Sequence, residues 1–200
     1  MTAPQKKPVI VGITGASGAV MARAAVDALL RRDIPTVALC SNAARLVWQQ
    51  EVGENFNETL VEWQEHPAFV HYHINDLRAP VASGTYPTAG MVIVPASMNS
   101  IASLAGGLSG NLLLRSADVC LKERRPLVLV PRETPLHSIH LKNMLTLSRM
   151  GAVVVPPEPA FYLQPKGIED IVDFVVARIF VALGLDEAMP VDMQYQGPGD

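Results

Sequence analysis

Cysteine is scarce in this chain: Cys40 and Cys120 are the only two among 200 residues. Each falls in an apolar run, so they read as core thiols in a reducing compartment and supply no disulfide framework. Charge is also sparse. Asp, Glu, Lys and Arg make up 18% of the chain and the formal net charge is −3. No overall basic field invites nucleic acid, and any anion site has to be built locally. The apolar runs stay far below the ~20 residues of a membrane span. The stretch from Met1 to Lys7 is polar and carries no h-region for secretion. These absences predict a cytoplasmic protein with no membrane segment. Hydrophobic residues, by contrast, reach 49%, which suits a well-buried globular fold and not a disordered chain. The length is enough for one domain with a sizeable core.

The apolar runs alternate with helical patterns. Strands are predicted at 9–13, 35–40, 70–74, 91–94, 127–130 and 152–155. Helices are predicted at 19–31, 43–51, 101–108, 112–124, 136–150 and 168–183. Continuous apolar strands are the mark of a sheet buried on both faces. Strands alternating with helices imply right-handed βαβ units, hence an α/β fold: a three-layer α/β/α Rossmann-like sandwich with a mostly parallel six-stranded sheet. Residues 1–185 are assigned to a single domain and 186–200 to a C-terminal tail, read as extended or mobile. The polar stretch 54–67 gives no clear assignment.

Ligands of such sheets bind beyond the carboxyl ends of the strands. There the first strand runs into Thr14-Gly15-Ala16-Ser17-Gly18. The glycines allow close approach of an anion, and Ser17 can cap the next helix, whose N-terminus favours phosphate. A glycine turn between strand and helix is also common without any ligand. Polar turns follow at Ser41-Asn42, at Ser97-Met98-Asn99-Ser100 and at Arg132-Glu133-Thr134. Several such turns at one sheet edge point to a cofactor site more strongly than any one of them.

Arg115 and Lys122 share one helical face with Asp118 between them, as an exposed ion-pair ladder or as a phosphate clamp. Arg178 falls on or beside the apolar stripe of the last helix, either snorkelling from its edge or buried against a ligand phosphate. Glu133 could be a helix N-terminal carboxylate or an acid–base group. His71 and His73 would share a strand face, and His137 and His140 a helix face. No third ligand has suitable spacing, so no metal is expected.

Taken together, Thr14 to Gly18, Ala117-Asp118, the block 121–135 ending in Arg132-Glu133-Thr134-Pro135, His140-Leu141, Asn143-Met144-Leu145, Gly151-Ala152-Val153, Pro159-Ala160-Phe161-Tyr162 and the 170–178 helix resemble the flavin prenyltransferases of the UbiX/Pad type. The resemblance spans about residues 9–185. It implies transfer of a dimethylallyl group from dimethylallyl phosphate to N5 and C6 of reduced FMN. The prenylated FMN would serve a UbiD-type decarboxylase, and the protein would assemble as a dodecamer with sites shared between subunits. It also implies FMN contacts at Gly15, Ala16, Ser17, Ser41, Ser97, Met98, Asn99, Ser100 and Arg132. The prenyl phosphate would meet Arg115, Lys122, Arg132, Tyr162 and Arg178. Ser17, Glu51 and Glu133 match positions implicated in proton handling. Asn42 and Asn99 stand where lysines are frequent, and Ala96 where a cysteine is frequent. Two alternatives are an FMN-dependent cysteine decarboxylase and a non-catalytic flavin-binding regulatory subunit.

Overall fold

The computed structural model describes residues 6–197. Its strands are β1 (Val9–Ile13), β2 (Thr36–Cys40), β3 (Phe69–His71), β4 (Gly90–Ala96), β5 (Leu127–Pro131) and β6 (Val153–Val154). The helices are α1 (Ala19–Arg31), α2 (Asn42–Val52), α3 (Phe56–Gln64), α4 (Met98–Ala105), α5 (Leu112–Lys122), α6 (Ser138–Arg149) and α7 (Ile168–Ala182). All pairings are parallel, in the order β3-β2-β1-β4-β5-β6. The chain therefore leaves β1 in one direction and returns at β4 on its other side. That reversal opens a crevice at the carboxyl ends of β1 and β4.

Alternation along the strands divides the core into two layers. Val9, Val11 and Ile13 of β1 pack with Ala22, Val26 and Leu29 of α1, Trp48 of α2 and Ile179 and Phe180 of α7. Ile10 and, from β4, Met91 and Ile93 pack instead with Ile101 of α4, Leu113 and Ala117 of α5 and Leu147 of α6. Every residue of β1, β2, β4 and β5 is buried, because each has helices above and below it.

Several boundaries differ from expectation for local reasons. The unassigned stretch contains α3, started by a capping box in which Asn55 accepts from Glu58 N–H and the Glu58 carboxylate accepts from Asn55 N–H. Helix α4 begins at Met98, earlier than predicted, because Ser97 caps it through Ser100 N–H at 3.3 Å. Helix α6 begins at Ser138, later than predicted, because the His137 Nδ1 accepts from the Ile139 and His140 amides. Strand β3 stops at His71, so His73 is not on the strand; its Nδ1 accepts from Asn75 N–H at 3.3 Å. The tail is tied down at two points. Asp186 pairs with Arg32 at 2.9 Å, and Tyr195 packs edge-on against Tyr162 with ring centroids 5.4 Å apart. Residues 198–200 lie outside the described residues.

Candidate active site

The crevice between β1 and β4 is fixed by Thr14. Its buried hydroxyl donates to Pro95 O and accepts from Ser97 N–H, both at 2.7 Å, which locks the turn after β1 to the turn after β4. Gly15 has no room for a side chain, since a Cβ there would collide with Ala43 at the start of α2. The turns after β1 and β2 are thus in direct backbone contact. Ser41 caps α2 by accepting from Ala44 N–H at 3.1 Å, and its own amide donates to Ile13 O. Ser97 and Ser100 join their hydroxyls at 3.0 Å. Gly15, Ala16, Ser17, Ser41 and the segment Ser97 to Ser100 accordingly converge on one edge.

One feature of that edge reverses a sequence expectation. Ser17 does not cap α1. The helix starts after Gly18, whose φ of 116° is open to glycine, and has no cap from its own turn. Glu51 on α2 takes that place: its Oε2 accepts from Gly18 N–H and Ala19 N–H, both at 2.7 Å. The free amides expected to hold a phosphate hold a carboxylate instead. Burial pushes the Glu51 carboxyl up, but the nearby Ser17 hydroxyl, the two amides and the charge of Arg132 outweigh it and hold it below its ordinary value. Ser17, Glu51 and Arg132 are therefore one electrostatic unit.

Because the folded-state value is depressed, Glu51 stabilises the fold at pH above its ordinary carboxyl range. That contribution is lost as pH falls through the lowered value. Glu51→Gln is expected to cost about 1 kcal/mol at neutral pH, as removal of a charged cap does, or roughly 2–4 °C in melting temperature for a chain of this size. Melting curves from neutral to acid pH should show wild type and variant converging at the acid end. A gap that stays constant with pH would contradict the assignment.

Arg132 follows β5, with its amide on Ala96 O at 3.3 Å. Its Nε is buried and has no partner among the described residues, which leaves it available to an anionic group. Arg132 and Glu133 line a 510 Å³ cleft with Met144, Pro156, Pro157 and Glu158. Glu133 is exposed and accepts from Thr134 N–H at 3.0 Å. It precedes α6 by five positions and does not serve as that helix's N-terminal carboxylate.

A second cleft, of 500 Å³, contains Tyr162 and Arg178 with Phe174 and Glu158. Arg178 is exposed and not buried in the α7 stripe: Val175, Val176, Ile179 and Phe180 take the core positions and leave it facing outward. Among the described residues its guanidinium makes no hydrogen bond or ion pair. The other two expected phosphate ligands lie elsewhere in the chain. Arg115 pairs with Asp118 at 2.9 Å and donates to Ala82 O. Lys122 pairs with Glu123 beside Gly84, next to the starts of β4 and β5. Within one chain, Tyr162 and Arg178 come together and Arg115 and Lys122 do not join them.

The histidines have local duties. His137 caps α6 and stacks on His140 at 3.5 Å between centroids. Burial pushes His71 down to about 4. Burial pushes Cys40 up to about 12 and Cys120 up to about 11, so both are inert core thiols. Ala96 is wholly buried in β4, whereas Asn42 and Asn99 are exposed at the first turns of their helices. Sequence reasoning missed Thr14 as the tie across the crevice and Glu158 as a wall of both clefts.

The chain matches the flavoprotein family model over residues 2–180 and belongs to that family. A flavin prenyltransferase UbiX of Alkalihalophilus pseudofirmus is 43% identical, covering 92% of this chain and 94% of the relative. The chain thus belongs, within the flavoproteins, to the flavin prenyltransferases of the UbiX type. Solved structures agree. AnUbiX (PadA1), in complex with FMN and dimethylallyl pyrophosphate, matches with a TM-score of 0.88 and 37% identity over 98% of this chain and 100% of that one. A dodecameric FMN-dependent UbiX-like decarboxylase from Escherichia coli O157:H7 matches with a TM-score of 0.86 and 40% identity, over 95% and 100% of the two chains.

Proposed function

We propose that this protein transfers a dimethylallyl group from dimethylallyl phosphate to N5 and C6 of reduced FMN, and that the prenylated FMN passes to a UbiD-type decarboxylase. The observation that carries the reading is the buried, unpartnered Nε of Arg132. It stands beside the Ser17–Glu51 pair, and its cleft adjoins the one that holds Tyr162 and Arg178. Gly15, Ala16, Ser17, Ser41, Ser97, Met98, Asn99, Ser100 and Arg132 are the residues that would hold FMN. When bound, reduced flavin supplies the nucleophilic ring positions.

The rest of the chemistry falls to the chain. Breaking the bond between carbon and phosphate oxygen builds negative charge on the leaving oxygen. Fixed cations and a phenol stabilise that charge most in a site that excludes water. We assign this role to Arg178 and Tyr162, which line one cleft. Glu133 accepts the proton released as the new ring closes. The separation of Arg115 and Lys122 from this cleft fits a homo-oligomer, with a dodecamer the expected form, in which these two residues reach a neighbouring copy's site. No helix among the described residues is long and apolar enough to cross a membrane, and we place the protein in the cytoplasm. Residues 1–185 form the catalytic domain and 186–200 its tail.

Anaerobic incubation with reduced FMN and dimethylallyl phosphate tests the reading. One phosphate should be released per flavin changed in its absorption spectrum. A protein that ignores the donor but decarboxylates a peptide with a C-terminal cysteine would belong to the rival activity. FMN itself should titrate to saturation by fluorescence quenching, and Arg132→Ala should weaken it by about tenfold or more, as loss of a charge-assisted hydrogen bond does.

A further inference from the structure

The two clefts are neighbours, and the residues they share are Pro156 and Glu158. Glu158 sits in the strap Val155-Pro156-Pro157-Glu158-Pro159, where three prolines fix φ and leave the backbone little freedom. The strap is pinned at one end by Val155 N–H on Leu129 O at 2.8 Å, and it folds back at Glu158 N–H on Pro156 O at 2.8 Å. Among the described residues the Glu158 carboxylate makes no hydrogen bond or ion pair, although Arg132 lines one of its clefts and Arg178 the other. An exposed carboxylate thus borders both clefts, one lined by Arg132 and the other by Arg178, and pairs with neither.

An uncompensated carboxylate does nothing to bind an anionic donor, and its cost grows with the donor's charge. A diphosphate carries about one more negative charge than a monophosphate. We infer that Glu158 is a specificity-determining residue that sets the donor class, favouring a prenyl monophosphate over a prenyl diphosphate by repulsion of the extra charge. The inference rests on the prenyl-transfer reading above. It concerns selectivity, since attraction of either donor is left to Arg132, Tyr162 and Arg178. A strap that served only to pack would not distinguish the two donors.

The test uses the FMN-loaded protein with inorganic phosphate and pyrophosphate as probes in calorimetry. Glu158→Gln should shift the ratio of the two affinities toward pyrophosphate by about fivefold, the scale of a partly exposed charge pair, and Glu158→Lys should shift it further. Raising the salt concentration should shrink the difference between wild type and variant. Prenyl transfer from the mono- and diphosphate, measured in the same preparations, should follow the same ratio. An active wild type whose ratio is unchanged in both variants overturns this inference alone. A wild type that transfers from neither donor overturns the functional reading, and this inference with it.

Discussion

Glu133→Gln should slow formation of the prenylated flavin by about 10²-fold or more, the loss typical of removing a general base, while FMN binding survives. The amide keeps the shape of the carboxylate and can still accept from Thr134 N–H, the bond that orients the side chain at 3.0 Å. What it loses is the ability to take a proton. Because Glu133 is exposed and caps no helix, the variant should melt within about 0.5 kcal/mol of wild type, as surface changes do. Rapid-quench mass spectrometry of the flavin, run alongside melting curves, separates a chemical defect from a folding defect. Normal turnover would shift the base to the departing phosphate. Glu51 is the weaker candidate base, since its Oε2 is committed to the α1 amides and its carboxyl lies below the ordinary carboxylate range.

Arg178→Ala is expected to lower prenyl transfer by about 10²–10³-fold, as removal of a preorganised donor to a developing anion does. FMN affinity should change little, because Arg178 lines the cleft with Tyr162 and not the edge formed by Gly15, Ser41 and Ser97. Arg178→Lys should recover only part of the rate: an ammonium restores the charge but not the planar fork that engages two phosphate oxygens. Steady-state kinetics against donor concentration checks both variants. A wild-type rate in Arg178→Ala would leave Arg132 as the cation that meets the leaving group.

The sheet's centre was legible because β1, β2, β4 and β5 are buried on both faces and so appear as uninterrupted apolar runs. The edges were less so. Val70 in β3 and Val153 in β6 are 41% and 42% exposed, and a short, half-open strand leaves little pattern to read. Helix α3 was missed although its signal, Asn55 three residues before Glu58, is local. The surrounding polar residues hid its buried face of Phe56, Thr59 and Trp63. The polar turns after the strands did converge, because a parallel sheet places all carboxyl ends at one edge. Helical periodicity put Arg178 near the apolar stripe, but a wheel gives an angle and not the boundary between core and cleft. Glu51's grip on Gly18, 33 residues away, and the split of Arg115 and Lys122 from Tyr162 depend on packing between elements. Spacing within any one segment does not encode that packing.

Prenylated FMN is the product expected of this chain. The most direct measurement is the mass of the flavin extracted after anaerobic incubation with reduced FMN and dimethylallyl phosphate. A flavin heavier by one dimethylallyl group, formed in step with phosphate release and lost in Arg178→Ala, is the predicted result. Recovery of unmodified FMN from folded, FMN-saturated wild-type protein would contradict it.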